Sequence, residues 1–274
     1  MKPVPAHPKF KHMTVLESER KVFPGTLNPI KSDFYNIKLD ILSKKQVLES
    51  CKFFFDSGKP NTIFFLNAHC FNISQSNNEY FNAINNADLL LNDGIGIRLA
   101  SLIAGLRIGE NLNGTDLIPE ILVLASLEGK KVFFLGGIEG VAENAANRIM
   151  SLIPGIQIAG YRSGYFQKHE ENSLIRHINS SGTDLLVLGM GVPKQELWAY
   201  KNLDHLPDLK IIIAGGAILD FLSGNARRAP IWIRKIHMEW LYRLYREPKR
   251  MWRRYIIGNF MFFINILRVK YFSD

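Results

Sequence analysis

The 274-residue chain is 47% hydrophobic and 22% charged, a composition that buries a core and excludes disorder, collagen and disulfide scaffolds. Its formal charge of +9 is uneven: between Arg227 and Lys270 twelve basic residues stand against two acids, a local net of +10 that leaves the remainder at −1. That asymmetry describes a near-neutral body with a basic appendage suited to phosphate, nucleic acid or an anionic membrane.

The chain starts Pro-broken and charged, without the apolar run of a signal peptide, so a flexible leader is predicted over 1–32. Cys51 and Cys70 are its only cysteines and sit in no C-x-x-C or Cys/His cluster, which fits a reducing, cytoplasmic compartment. From residue 33 to 224 short apolar runs alternate with helical patterns: 61–67, 88–93, 130–137, 156–161, 184–191 and 209–216 as strands, with helices over 43–57, 115–128, 138–152 and 170–180. Continuous Ile, Leu, Val and Phe means burial on both faces, the pattern of a parallel sheet covered by helices in a Rossmann-like α/β domain. Pro193 and Pro230 suit the first turns of later helices. Near Gly224 the strand pattern stops, and 225–274 reads as a basic, helical appendage.

In an open α/β sheet ligands collect at the carboxyl ends of the strands. There, Gly136, Gly137 and Gly140 precede an Ala-rich helix, a phosphate-cradle pattern that spacing alone leaves level with an ordinary tight turn. Asp93, before Gly94 and Gly96, is placed either to act as a general base or to cap the next helix, and spacing alone favours the cap. Gly189 and Gly191 lead through Pro193 into Gln195, which offers a donor and an acceptor to a base or sugar, and Glu196, which also suits a helix N-terminus.

In the appendage, Trp232, Trp240, Trp252, Tyr242, Tyr245 and Tyr255 alternate with arginines, as at a membrane interface. Residues 255–267 are uncharged, roughly 20 Å of helix against a hydrocarbon core of about 30 Å, enough to lie in a bilayer surface and too little to cross it. An ordinary core stripe or a nucleic-acid face fits the same pattern. No H-E-x-x-H, Asp-x-Asp, G-x-S-x-G or strand-linked G-x-G-x-x-G occurs, so neither a metal site nor hydrolase or dehydrogenase chemistry is indicated.

Read in order, LNAHCFN, NADLLLNDGIGI, NGTDLIP, VFFLGG, PGIQIAGYRSGYF, LGMGVPKQE and RAPIWIRKIHMEWLYRLYREPKRMWRR resemble the WecG/TagA/CpsF glycosyltransferases over about residues 60–255. The resemblance implies a Rossmann-like, inverting, metal-independent and cofactor-free enzyme that moves a hexose, often of N-acetylmannosamine type, from a UDP-sugar to an undecaprenyl-diphosphate-linked sugar for a cell-surface polysaccharide. It also implies a peripheral enzyme on the inner face of the cell membrane, docked through 227–270, with no nucleic-acid partner; self-association would shield the appendage elsewhere. The family's D-G aspartate falls on Asp93, making base the expected role. Asn67 and Gln195 match sugar or nucleotide contacts, with Gly94, Gly136, Gly137, Gly189, Gly191 and Glu196 around them. Arg228, Arg243 and Arg250 fall where cations would meet the leaving diphosphate. Some members carry Thr where this chain has Phe65, two residues before Asn67, so a polar contact is lost. The competing class is a non-enzymatic basic module binding nucleic acid or anionic membrane, for which the appendage is the only evidence; a soluble UDP-sugar-modifying enzyme would need no such appendage.

Overall fold

The computed structural model describes residues 31–106, 108–236 and 238–272. The leader expected over 1–32 therefore lies outside the described residues, save Lys31 and Ser32.

The described chain opens with a hairpin, β1 (Lys31–Phe34) and β2 (Ile37–Asp40), turned by Tyr35 and Asn36, both at positive φ. Then follow α1 (Lys44–Phe55), β3 (Asn61–Leu66), α2 (Ala68–Ser74), α3 (Asn78–Asn85), β4 (Leu89–Asn92), α4 (Ile95–Ile103), α5 (Gly114–Leu127), β5 (Lys131–Gly136), α6 (Val141–Leu152), β6 (Gln157–Arg162), α7 (Glu171–Ser180), β7 (Leu185–Gly189), α8 (Lys194–Asn202), β8 (Ile211–Ala214) and α9 (Ile218–Ser223). The appendage contains α10 (Ile231–Lys235), α11 (Glu239–Arg246), α12 (Pro248–Trp252), a π-helical turn over Arg253–Ile257, and α13 (Gly258–Phe272).

All six predicted strands form and join in one parallel sheet ordered β4-β3-β8-β7-β5-β6. The apolar runs explain this: β3, β4 and β8 are buried along their whole length, and only a sheet covered on both faces offers that environment. Side chains alternate between two cores. On one face β-strand residues such as Ile63, Phe65, Val187 and Ile213 meet α1, α5, α6 and α9. On the other, Phe64, Leu66, Leu186 and Ile212 meet the hairpin, α2, α3, α7 and α8, and there Phe262 and Ile266 of α13 join the core.

The hairpin was not expected from the sequence; its Phe34, Ile37 and Leu39 are fully buried in that second core. Pro193 and Pro230 stand at the N-caps of α8 and α10, one residue ahead of the first turn expected for them.

The sheet order also locates its crevice. β5 leads outward to β6, whereas β7 leads back to β8, so the loops diverge between the carboxyl ends of β5 and β7, the topological switch point.

Candidate active site

β3 and β4 run side by side, and each is followed at the same edge by a polar residue, Asn67 and Asp93. Asn67 is the N-cap of α2: its Oδ1 accepts from the backbone N–H groups of His69 and Cys70, each at 3.1 Å. Its Nδ2 is thereby turned towards Asp93 Oδ2, to which it donates at 3.4 Å.

Asp93 does not cap α4. Gly94 holds that position at φ 93°, a conformation L side chains rarely adopt, and α4 has no side-chain cap. The Asp93 N–H bonds Leu66 O at 2.8 Å, and Asn111 Oδ1 accepts from the N–H of Gly94 at 2.8 Å. The carboxylate is half-buried and free of capping duty. Burial pushes its pKa above the usual carboxylate value, against the opposing pull of the Asn67 bond and the charges of Arg243 and Arg254; Glu239 adds to the rise.

Arg243 and Arg254 come from the appendage. Arg243, on α11, stacks its guanidinium 4.6 Å above the ring of Phe221. Arg254, in the π-helical turn, also acts on His69, whose pKa burial and that charge lower to about 4, so this imidazole is neutral at physiological pH. Arg254, His69 and Asn111 were not singled out from the sequence. Arg243 was named from the sequence, whereas Arg254 was one basic residue among twelve, and only the docking of α13 against α2 brings it to the site.

Arg228 is placed differently from the free diphosphate ligand expected of it. Its guanidinium grips both Asp116 oxygens, at 2.8 and 3.3 Å, and Glu239 at 3.2 and 3.4 Å. Burial alone would lower its pKa, but these bonds outweigh it and raise it. Arg228 thus fastens the appendage to α5. Arg250 lies on α12, and its side chain is outside the described residues.

The glycines occupy the switch point. A Cβ on Gly136 would lie 2.4 Å from the Gly189 backbone, and the N–H of Gly137 bonds Gly189 O at 3.0 Å, so the end of β5 approaches β7 this closely only because Gly136 lacks a side chain; a Cβ on Gly189 would instead meet Leu219 at 2.8 Å. Gly191 follows at the lip of the crevice with open space around it.

Gln195 is buried at 2% exposure, and its Oε1 accepts from the N–H groups of Gly191 (3.3 Å) and Gly216 (3.0 Å). Its Nε2 donates to Glu196 Oε1 at 2.8 Å. In this arrangement Gln195 ties the loops after β7 and β8 together, and Glu196, 1% exposed, sets the orientation of its amide. Burial raises the Glu196 pKa to about 7, and among the described residues its Oε2 has no hydrogen-bond partner.

Two cavities open near this edge. One of ≈ 340 Å³ lies between the β5–α6 turn and the end of β6, lined by Glu139, Tyr161, Arg162 and Ser163. The other, ≈ 330 Å³, lies in the seam between α9 and the appendage, where Phe221, Arg243 and Arg246 face one another. Asp93 lines neither. Among the described residues no group of three or more His, Cys, Asp or Glu side chains is placed to hold a metal ion, and no helix is long and apolar enough to cross a membrane.

Residues 32–274 match the glycosyl transferase WecG/TagA/CpsF family. Among curated relatives, an N-acetylglucosaminyldiphosphoundecaprenol N-acetyl-beta-D-mannosaminyltransferase of Bacillus spizizenii is 34% identical over 66% of this chain and 69% of its own length. Proteins of the same name from Bacillus subtilis and Staphylococcus aureus are 32% identical (64% of this chain, 67% of theirs) and 30% identical (86% and 92%). With a match over nearly the whole described chain, on a parallel α/β sheet carrying an aspartate and two appendage arginines at one edge, the protein belongs to the WecG/TagA/CpsF family of glycosyltransferases.

Proposed function

We propose that the protein transfers an N-acetylmannosamine-type hexose from a UDP-sugar to N-acetylglucosaminyl-diphosphoundecaprenol, with inversion and without a metal ion. The observation that carries this reading is Asp93: a carboxylate at the end of β4, released from capping by Gly94 and held by Asn67 in the field of two arginines. The acceptor chemistry is named for the relatives.

In this reaction Asp93 takes the proton from the acceptor hydroxyl as that oxygen bonds the anomeric carbon. The bond from that carbon to the UDP oxygen breaks on the opposite side, and UDP departs with the electron pair. A single displacement of this kind inverts the centre. Raising the carboxylate pKa strengthens it as a base. Arg243 and Arg254 bring positive charge to the edge where negative charge develops on the diphosphate, the task a metal would otherwise perform.

The glycine crevice between β5 and β7 is the nucleotide end of the site in this reading. It stands between three and four strand spacings from β4, about 17 Å, a separation suited to an extended nucleotide-diphosphate sugar. Phe65 is buried against the position of Gly114 and offers no hydroxyl to the donor. The basic, aromatic composition of the appendage supports docking on an anionic membrane surface at the cytoplasmic side.

The test is UDP release in detergent with the lipid-linked acceptor, a panel of UDP-sugars and excess EDTA. Acceptor-dependent release that survives EDTA and is lost in Asp93→Asn is expected, with the product anomer opposite to the donor's by NMR. Release abolished by EDTA, or retained in the variant, would overturn the mechanism.

A further inference from the structure

α4 is a surface helix with an unusual sequence. IGIRLASLI leaves Leu99, Leu102 and Ile103 exposed at 45%, 64% and 44%, and carries no acid. A helix on a water-facing surface normally turns charge outwards, and here Arg98 is the only charged residue of the helix.

The neighbour of α4 is α13, and the two run alongside each other in the same direction. At one end a Cβ on Gly96 would touch the ring of Phe262 at 3.7 Å; at the other Lys270 Nζ donates to Ile103 O at 3.1 Å. α13 buries Phe262 and Ile266 but exposes Phe260, Phe263, Ile264 and Leu267, and it too carries no acid. The pair therefore shows an apolar surface drawn from two distant parts of the sequence, edged by Arg98, Arg268 and Lys270 with no carboxylate from either helix. An apolar face with a purely cationic edge complements an anionic bilayer, where the rings and aliphatic chains enter the headgroup boundary and the cations meet lipid phosphate.

We infer that α4, within the catalytic body, is a second membrane-contact element that seats on an anionic lipid surface together with α13. The inference rests on the membrane reading above and extends it beyond residues 227–270. Its consequence is geometric. α4 begins two residues after Asp93 and runs about 14 Å to Ile103, so contact along α4 fixes how far the Asp93 carboxylate stands from the lipid headgroups. An appendage alone, joined to the body through the chain after Gly224, would leave that height less constrained.

Leu102→Cys and, separately, Phe260→Cys are labelled in the full chain with an environment-sensitive fluorophore; the native Cys51 and Cys70 are buried and stay unlabelled. Each is mixed with vesicles of phosphatidylcholine alone or of equal parts phosphatidylcholine and phosphatidylglycerol, without acceptor. A blue shift at both positions on the anionic vesicles is the expected result. A shift at Phe260 alone overturns the role of α4 and leaves appendage docking standing. A shift at Leu102 alone keeps α4 and removes the appendage reading. No shift at either position overturns both. A shift at Leu102 that requires polyprenyl diphosphate in the vesicles would assign this face to the acceptor's isoprenoid chain and overturn the bilayer contact. As an independent measurement, Leu102→Glu is expected to weaken binding to anionic vesicles about tenfold, the loss of one buried leucine, and unchanged binding would overturn the inference.

Discussion

Strands β3 and β8 place every residue of their spans in the interior, whereas α10 and α11 bury none of theirs. The body is held by two continuous apolar cores. The appendage is held by discrete anchors, among them Met251, Phe262 and Ile266 as buried side chains, the ion pairs of Arg228 and Arg234 with Asp116, and the bonds of Asn72 to Gly258 and Asn265 and of Lys270 to Ile103. Yet the two cations that act on Asp93 both belong to the appendage. The region that is least secured thus supplies the charge on which the site depends, and breaking its anchors separates folding of the body from assembly of the site.

The largest expected effect lies where the two regions meet. Asp93→Asn should lower transfer by about 10²–10⁴-fold, the usual contribution of a general base, and should raise the melting temperature at neutral pH. The sign follows from the pKa. A carboxyl whose folded value lies above its unfolded one favours the folded state fully below the unfolded pKa, and that advantage is lost as pH rises through the folded value. At neutral pH the ionised group is a net cost, which an amide removes. Thermal denaturation of the pair checks this; a lower melting temperature for the variant would mean that Arg243 and Arg254 outweigh burial. In wild type the acid limb of the rate profile should likewise lie above the ordinary aspartate value.

Next is Phe262→Ala. This residue packs edge-on against Phe71 of α2, ring centroids 5.3 Å apart, in the core shared with the sheet. Losing a buried Phe costs about 3–5 kcal/mol, taken mainly from docking of α13 because the rest of that helix is largely exposed. Trypsin should cut faster at Arg268 and Lys270 while the body's unfolding transition stays in place. Equal loss from both regions would show that they fold as one cooperative unit.

Glu196→Gln probes the body instead. Burial raises the Glu196 pKa to about 7 from an ordinary 4.5, so wild type should lose stability between those pH values, roughly 3 kcal/mol in all. The variant should lack that slope. Urea denaturation at pH 4.5 and pH 8 measures it, and parallel curves for the two proteins would show that Glu196 titrates normally.

The sequence made the body legible because burial on both faces leaves an unmistakable apolar run, and all six strands follow from it. The hairpin escaped because KSDF and IKLD are short and charged, and their partners, β4 and α3, come about fifty residues later. Asp93 was readable as a candidate, but its choice between cap and base depended on the backbone of Gly94, which spacing does not reveal. Gln195 was readable as polar and not as a brace between two loops. The arginines were legible in part: Arg243, named from the sequence, acts on Asp93, whereas Arg228 is engaged in ion pairs and Arg254, not named, also acts on Asp93, a distinction set by tertiary docking rather than by any local pattern.

Asn72 offers the smallest and most discriminating perturbation. Its Nδ2 donates to Gly258 O at 2.7 Å, and its Oδ1 accepts from Asn265 Nδ2 at 3.1 Å. Gly258 directly follows the π-helical turn that carries Arg254, and Asn72 lies one and a half turns beyond Asn67 on α2. Asn72→Ala removes both bonds, and Asn265→Ala removes only the one further from Arg254. Each bond contributes about 1 kcal/mol, too little to unfold the body, so the melting temperature should move by only a few degrees at most. Tryptic cleavage of the appendage should rise and transfer should fall more in Asn72→Ala than in Asn265→Ala, because only the former frees the carbonyl next to the Arg254 turn. If Asn265→Ala proves the more damaging, the anchor that matters lies further along α13, and the charge at Asp93 is set by seating of the whole helix rather than by the turn that precedes it.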